Sequence, residues 1–173
     1  MSVDIGPADR DELDALADLW VDLAVEQREH GSHLHASANR AAIRESLARH
    51  LVVDGLIVAR EDGPVGFVAF DHESSGYERT VDRGVVRNLY VVPGRRDEGI
   101  GSRLLEAAET ALAEAGVDRV ALEALASNEA GRRFYERHGY RDHRVELEKR
   151  VETDTKERGE PHYSARRAWA VHA

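Results

Sequence analysis

The sequence predicts an α/β fold of the mixed α+β type. Runs rich in valine, isoleucine and leucine alternate along the chain with stretches whose apolar residues recur at helical spacing. Hydrophobic residues make up 42% of 173 and are spread throughout, enough for one domain with an aliphatic core. A single domain over 1–150 is expected, followed by a charged tail over 151–173 that is disordered or ordered by a partner chain.

Each element has its own warrant. Val3-Asp4-Ile5 reads as a short first strand, and Pro7, Asp9 and Glu12 as a capping-box helix start with Asp in place of Ser or Thr. Leu13, Leu16, Trp20 and Leu23 then carry a first helix to about Glu29, before Gly31. Ile43, Leu47 and Leu51 line one face of a second helix over 39–51. Strands are expected over 56–60 and 65–71, joined by the hairpin turn Glu61-Asp62-Gly63-Pro64. A polar loop over 74–80 leads to a strand over 84–92, which Pro93-Gly94 ends because proline cannot donate to a ladder. Ile100, Leu104, Leu105, Ala108 and Leu112 mark a helix over 99–115, stopped by Gly116. A strand over 119–125, a short helix over 131–138 and a last alternating strand over 144–149 complete the order.

Composition narrows the chemistry. The chain has no cysteine, so disulfides, thiolate metal sites and an acyl-cysteine mechanism are excluded. It carries 33 acidic against 24 basic residues, net charge −9, which disfavours nucleic acid and anionic membranes and suits cationic partners. The first residues lack a basic stretch followed by an apolar run, and no apolar segment reaches membrane-spanning length, so a cytoplasmic protein is expected.

Two motifs carry the functional signal. In Asn88 to Ser102, NLYVVPGRRDEGIGS, a buried-type strand meets a glycine-bearing turn and a helix start, a device for holding a pyrophosphate. Gly101 is followed by Ser102-Arg103 with no lysine, which excludes a P-loop. Only two of the three glycines of a Rossmann fingerprint are present, and they lie late, after several strand candidates, which excludes that motif. The second motif, Asn128 to Tyr140, has an asparagine after a strand, a helix bearing Phe134-Tyr135, then Gly139-Tyr140; Ser127 or Asn128 can cap that helix and Gly139 can stop it. Together these resemble the GNAT superfamily of acyl-CoA N-acetyltransferases, over about 3–148 in topology and over 86–140 in specific motifs. The resemblance implies a mixed, mostly antiparallel sheet with a splay between its fourth and fifth strands and helices on both faces. It also implies transfer of an acetyl group from acetyl-CoA, as co-substrate, to a primary amine by direct attack in a ternary complex. A catalytically silent acyl-CoA-binding module on the same fold is the alternative.

The same resemblance assigns roles. Backbone amides of Glu98, Gly99, Ile100, Gly101 and Ser102, with Arg96 beside them, hold the pyrophosphate, and main-chain groups of Leu89, Tyr90 and Val91 hold pantetheine. Asn128 touches the cofactor. Tyr135 matches the tyrosine that protonates the departing thiolate in many relatives; the plainer reading is a half-buried core tyrosine. For the base, Glu123 could direct a water to the amine, Asn88 could hold a water relay, or proximity alone could suffice. Glu26, Glu29 and His30 fall where the family binds its acceptor, although solvated charge is the plainer reading of each glutamate. The acceptor is a small molecule or peptide, expected to be cationic, and a homodimer would form through a sheet edge or the tail. His30, His33 and His35 lie in a flexible glycine-serine loop with no fourth ligand fixed by spacing, so no metal is expected. Asp97 and Glu98 depart from the family pattern by placing carboxylates beside the pyrophosphate.

Overall fold

The computed structural model of the chain describes residues 2–73 and 78–151. The loop expected over 74–80 and the tail therefore lie largely outside the described residues. Contacts divide the chain into Met1–Arg141 and Asp142–Ala173.

In the first unit, β1 (Asp4–Pro7), β2 (Leu56–Arg60), β3 (Pro64–His72), β4 (Arg83–Val91) and β5 (Arg119–Leu122) form one sheet in the order β1-β2-β3-β4-β5. The first four pair antiparallel, while β5 pairs parallel to β4. The helices are α1 (Leu13–Glu29), α2 (Arg40–Val52), α3 (Ile100–Glu114) and α4 (Glu129–Arg137).

The central strands read as near-continuous apolar runs because both sheet faces are covered. Leu56, Val58, Phe67, Ala69 and Tyr90 pack on one face against Leu16 and Trp20 of α1 and Leu47 of α2. Ile57, Ala59, Val68, Phe70, Val86 and Val91 pack on the other against Ile100, Leu104, Leu105, Ala108 and Leu112 of α3. Period-2 alternation along β2 and β3 thus feeds two cores, and α3 reaches its own through an i, i+4, i+5, i+8 stripe.

Local devices fix the entry of α1. The expected capping box is present at Asp9 and Glu12, with the backbone N–H of Asp9 donating to Glu12 Oε2 at 2.8 Å. Glu12 also accepts from Arg60 Nε at 2.6 Å, tying this turn to β2. Arg60 holds the Glu12 carboxyl below the usual carboxylate range through that hydrogen bond.

In the second unit the described residues, 142–151, form no helix or strand and all are exposed, Val145 by 77% and Leu147 by 89%. The strand expected over 144–149 is therefore absent. Alternation predicts a strand only where a neighbour completes the ladder and buries one face, and the described part of this unit supplies neither.

Candidate active site

The site forms where β4 outruns β5. The two strands pair from Arg83↔Arg119 to Val86↔Leu122, yet β4 continues to Val91, so Asn88 to Val91 have a ladder on the β3 side alone. A bulge marks the fork: Ala69 lies opposite Asn88 and Phe70 opposite Val86, which leaves Arg87 without a cross-strand partner. Beyond it, the Val92 N–H donates to the Val65 carbonyl at 2.9 Å. Peptide groups alternate in direction along a strand, so those of Leu89 and Val91 turn the other way, into the gap. The Val91 carbonyl accepts there from Arg96 Nε at 2.9 Å.

The gap opens toward the start of α3. A 3-10 turn over Pro93–Arg95 follows β4, and Gly99 then caps α3 in the left-handed region at φ 77°, where a side chain would be strained. Arg103 N–H to the Gly99 carbonyl at 3.1 Å is an i to i−4 bond at the helix start. The amides of Ile100, Gly101 and Ser102 therefore have no intrahelical acceptor, and the positive end of the helix dipole lies among them. Gly101 faces α4 and the core: a Cβ there would meet the Phe134 ring at 3.6 Å and Val91 at 3.8 Å, ordinary contact distances.

The two carboxylates of this turn separate. Glu98 is paired with Arg95, whose Nη2 lies 2.9 Å away and whose Nη1 meets Glu61 on the β2–β3 turn. Arg95 holds the Glu98 carboxyl below its usual range. Asp97 sits in the left-handed region at φ 64°. Arg96 is also committed: its Nη2 donates to both Glu26 oxygens at 2.8–2.9 Å, with its guanidinium 5.4 Å from the Tyr90 ring centre. The Tyr90 hydroxyl donates to Glu26 Oε1 at 3.0 Å, and burial first, then Glu26, pushes that phenol up to about 12. Glu26 of α1 thus clamps the pyrophosphate-type turn and β4 together.

On the far side α4 closes the site. Asn128 caps it, accepting from Gly131 N–H at 3.0 Å. A Cβ at position 131 would lie 2.7 Å from Asn128 Nδ2, so this glycine makes room for the cap. Asn128→Ala is expected to cost about 1 kcal/mol, read as a lower urea midpoint, with Asn128→Asp retaining most of it. Phe134 and Tyr135 meet edge to face at 5.2 Å between centroids, and Tyr135 and Tyr140 at 5.9 Å. Burial pushes the Tyr135 phenol up to about 12. Ser127 Oγ donates to the His30 carbonyl at 2.8 Å, joining this loop to the end of α1.

A strand that leaves its neighbour, a helix start with free amides and a capped aromatic helix beside it agree with the acetyltransferase (GNAT) family model, which matches residues 13–140. The chain belongs to the GNAT family. No curated protein matches the sequence. Among solved structures, a GCN5-related N-acetyltransferase from Ralstonia eutropha JMP134 is 25% identical, with TM-score 0.69 over 87% of this chain and 99% of its own. The PaiA N-acetyltransferase of Thermoplasma acidophilum, solved with coenzyme A, is 18% identical, with TM-score 0.71 over 84% and 94%. A predicted acetyltransferase from Clostridium acetobutylicum, solved with acetyl-CoA, is 19% identical, with TM-score 0.68 over 86% and 96%.

In this GNAT chain the remaining sequence candidates spread around the fork. Asn88 is half-buried and shares the α1/α2 face with Tyr90, since its partner Ala69 packs there. Glu123 is exposed one residue past β5, where its charge acts on Arg87. Glu29 is exposed at the end of α1. Among the described residues no group of three or more His, Asp or Glu could hold a metal ion.

Two clusters escaped sequence reasoning. Arg87 is gripped by Asp71 through Nε at 3.0 Å and Nη2 at 2.9 Å, and Asp71 is itself 3.2 Å from His50 Nε2 of α2. His138 links Phe134 to Ser102, at 2.8 Å to the Phe134 carbonyl and 3.0 Å to Ser102 Oγ. The position of His138 immediately before the helix-stopping Gly139 was the one signal available for it.

Proposed function

We propose that this protein is an N-acetyltransferase that moves an acetyl group from acetyl-CoA to a primary amine by direct attack in a ternary complex. The observation that carries this function is the meeting, at one end of β4, of three amides without intrahelical acceptors and a strand edge that has no partner strand beyond Val86. These residues fit a CoA-type ligand: a pyrophosphate needs convergent N–H donors at a helix N-terminus, and a pantetheine arm needs alternating backbone donors and acceptors.

Acetyl-CoA supplies the acyl group as a thioester whose sulfur is the leaving group. Ile100, Gly101 and Ser102 hold the pyrophosphate through their amides, with the positive end of the α3 dipole behind them. Glu98 does not oppose this, because Arg95 answers its charge. Leu89 and Val91 hold the arm and direct a backbone N–H at the acyl carbonyl, stabilising charge that develops on its oxygen. Tyr135 donates a hydrogen bond to the departing sulfur. With its phenol near 12 and an ordinary thiol near 8.5, full proton transfer is uphill, so the neutral hydroxyl acts as a donor across the working pH range.

Glu26 is already shared by Arg96 and Tyr90, so recognition of the acceptor falls to the surroundings of Asn88, Glu29 and Glu123. Glu123 orders a water that takes the ammonium proton, the amine lone pair attacks the thioester carbonyl, and collapse of the tetrahedral adduct breaks the C–S bond, the second nitrogen proton being released so that acetamide and CoA thiol leave. The test is release of CoA thiol over a panel of amines, including polyamines, amino acids and peptides. The proposed function requires acceptor-dependent release. Thermal stabilisation by acetyl-CoA with no turnover on any amine would leave a silent acyl-CoA-binding module.

A further inference from the structure

The bridge between α4 and the start of α3 has a fixed polarity. The Phe134 carbonyl can only accept, so His138 Nδ1, 2.8 Å from it, carries a proton. In the neutral ring Nε2 is then bare, and at 3.0 Å it accepts the hydroxyl proton of Ser102. Ser102 is the third residue of α3, and helix side chains lean toward the N-terminus, so its Oγ is directed toward the end of the helix that carries the free amides of Ile100 and Gly101. With its single proton given to His138, Ser102 offers only lone pairs toward an anion arriving there. Protonation of Nε2 reverses the bridge: the imidazolium donates to Ser102 Oγ, and the hydroxyl proton is freed for the anion.

We propose that His138 is a positioning residue of the phosphate cradle, and that a phosphoryl anion at the start of α3 binds with uptake of a proton on His138 Nε2. The proposal rests on the acetyl-CoA function above. An anion beside an imidazole favours the charged form of the ring, and the His138 ring lies against Phe134, 4.4 Å between centroids. On α3 the charged residues one turn from Ser102 are Glu98, occupied by Arg95, and Glu106, while Glu109 accepts from the Tyr140 hydroxyl at 2.7 Å. From α4 and the turn after it come Glu136, Arg137 and Arg141, the last donating to the Glu136 carbonyl at 3.4 Å. The bound state binds the extra proton, so affinity increases as pH falls through the range in which the free and bound rings differ in protonation.

The probe is dephospho-CoA, whose pyrophosphate diester has no proton of its own to exchange near neutrality. Calorimetric titration in buffers of different ionisation enthalpy, between about pH 6 and 8 where imidazoles titrate, counts the protons taken up. The expected result is uptake of a substantial fraction of one proton, with affinity rising by up to about tenfold per pH unit as pH falls. Uptake disappears in His138→Gln and in Ser102→Ala, with circular dichroism checking that both remain folded. Binding by the unaltered protein with no proton exchange and pH-independent affinity overturns the proposal and leaves the CoA site standing, as does uptake that persists in His138→Gln. No binding of dephospho-CoA at any pH overturns both.

Discussion

Tyr135→Phe is expected to lower kcat by roughly 10²-fold, the low end for loss of a positioned proton donor, with little change in KM for acetyl-CoA. The ring remains, so the edge-to-face contacts with Phe134 and Tyr140 that hold α4 against the α3-side core survive. Only the hydroxyl is lost, and the hydrogen bond proposed for it would strengthen as negative charge develops on the sulfur, which places the expected effect in kcat. The phenol is pushed up to about 12 by burial, so it stays neutral through pH 10 and its ionisation does not limit the alkaline side of the profile. Steady-state kinetics with a saturating amine checks both statements. A variant with unchanged kcat would reduce Tyr135 to a packing residue.

Phe67→Ala is expected to cost about 3–5 kcal/mol, a large part of the roughly 5–15 kcal/mol that holds an ordinary domain together. Phe67 is 0% exposed and shares its cluster with Leu16, Trp20 and Leu47, so α1, α2 and the sheet all border the cavity it would leave. Its register partner is Tyr90, whose hydroxyl meets Glu26, so the same cavity slackens the clamp on Arg96. Urea unfolding should show a much lower midpoint with an unchanged slope, and the folded fraction should bind CoA more weakly. Phe67→Leu, which retains most of the volume, should recover much of both losses.

Most of the scaffold could be read from local pattern because pattern and packing agree in it. Central strands β2 and β3 are apolar on both faces, and α3 carries one unbroken stripe into the core beneath Val91 and Val86. The strand expected over 144–149 failed for the complementary reason: alternation is half of a ladder, and the described residues of that unit contain no other half. The α4 cap was legible in Ser127-Asn128, and Asn128 supplies it. What joins the site together was not legible. The contact of Arg96 with Glu26 spans 70 residues, and the Asp71 grip on Arg87 spans 16 across a bulge that no residue type announces. The packing of Gly101 against Phe134 likewise joins residues that the chain brings together only after another strand.

Binding of CoA at the start of α3 and along the end of β4 is tested by following the amide resonances of the folded protein through a titration with CoA. Saturable shifts are expected at Gly99, Ile100, Gly101 and Ser102, with a second set at Leu89 and Val91. Saturable binding that leaves Ile100 to Ser102 unmoved, or no binding at millimolar CoA, would contradict it.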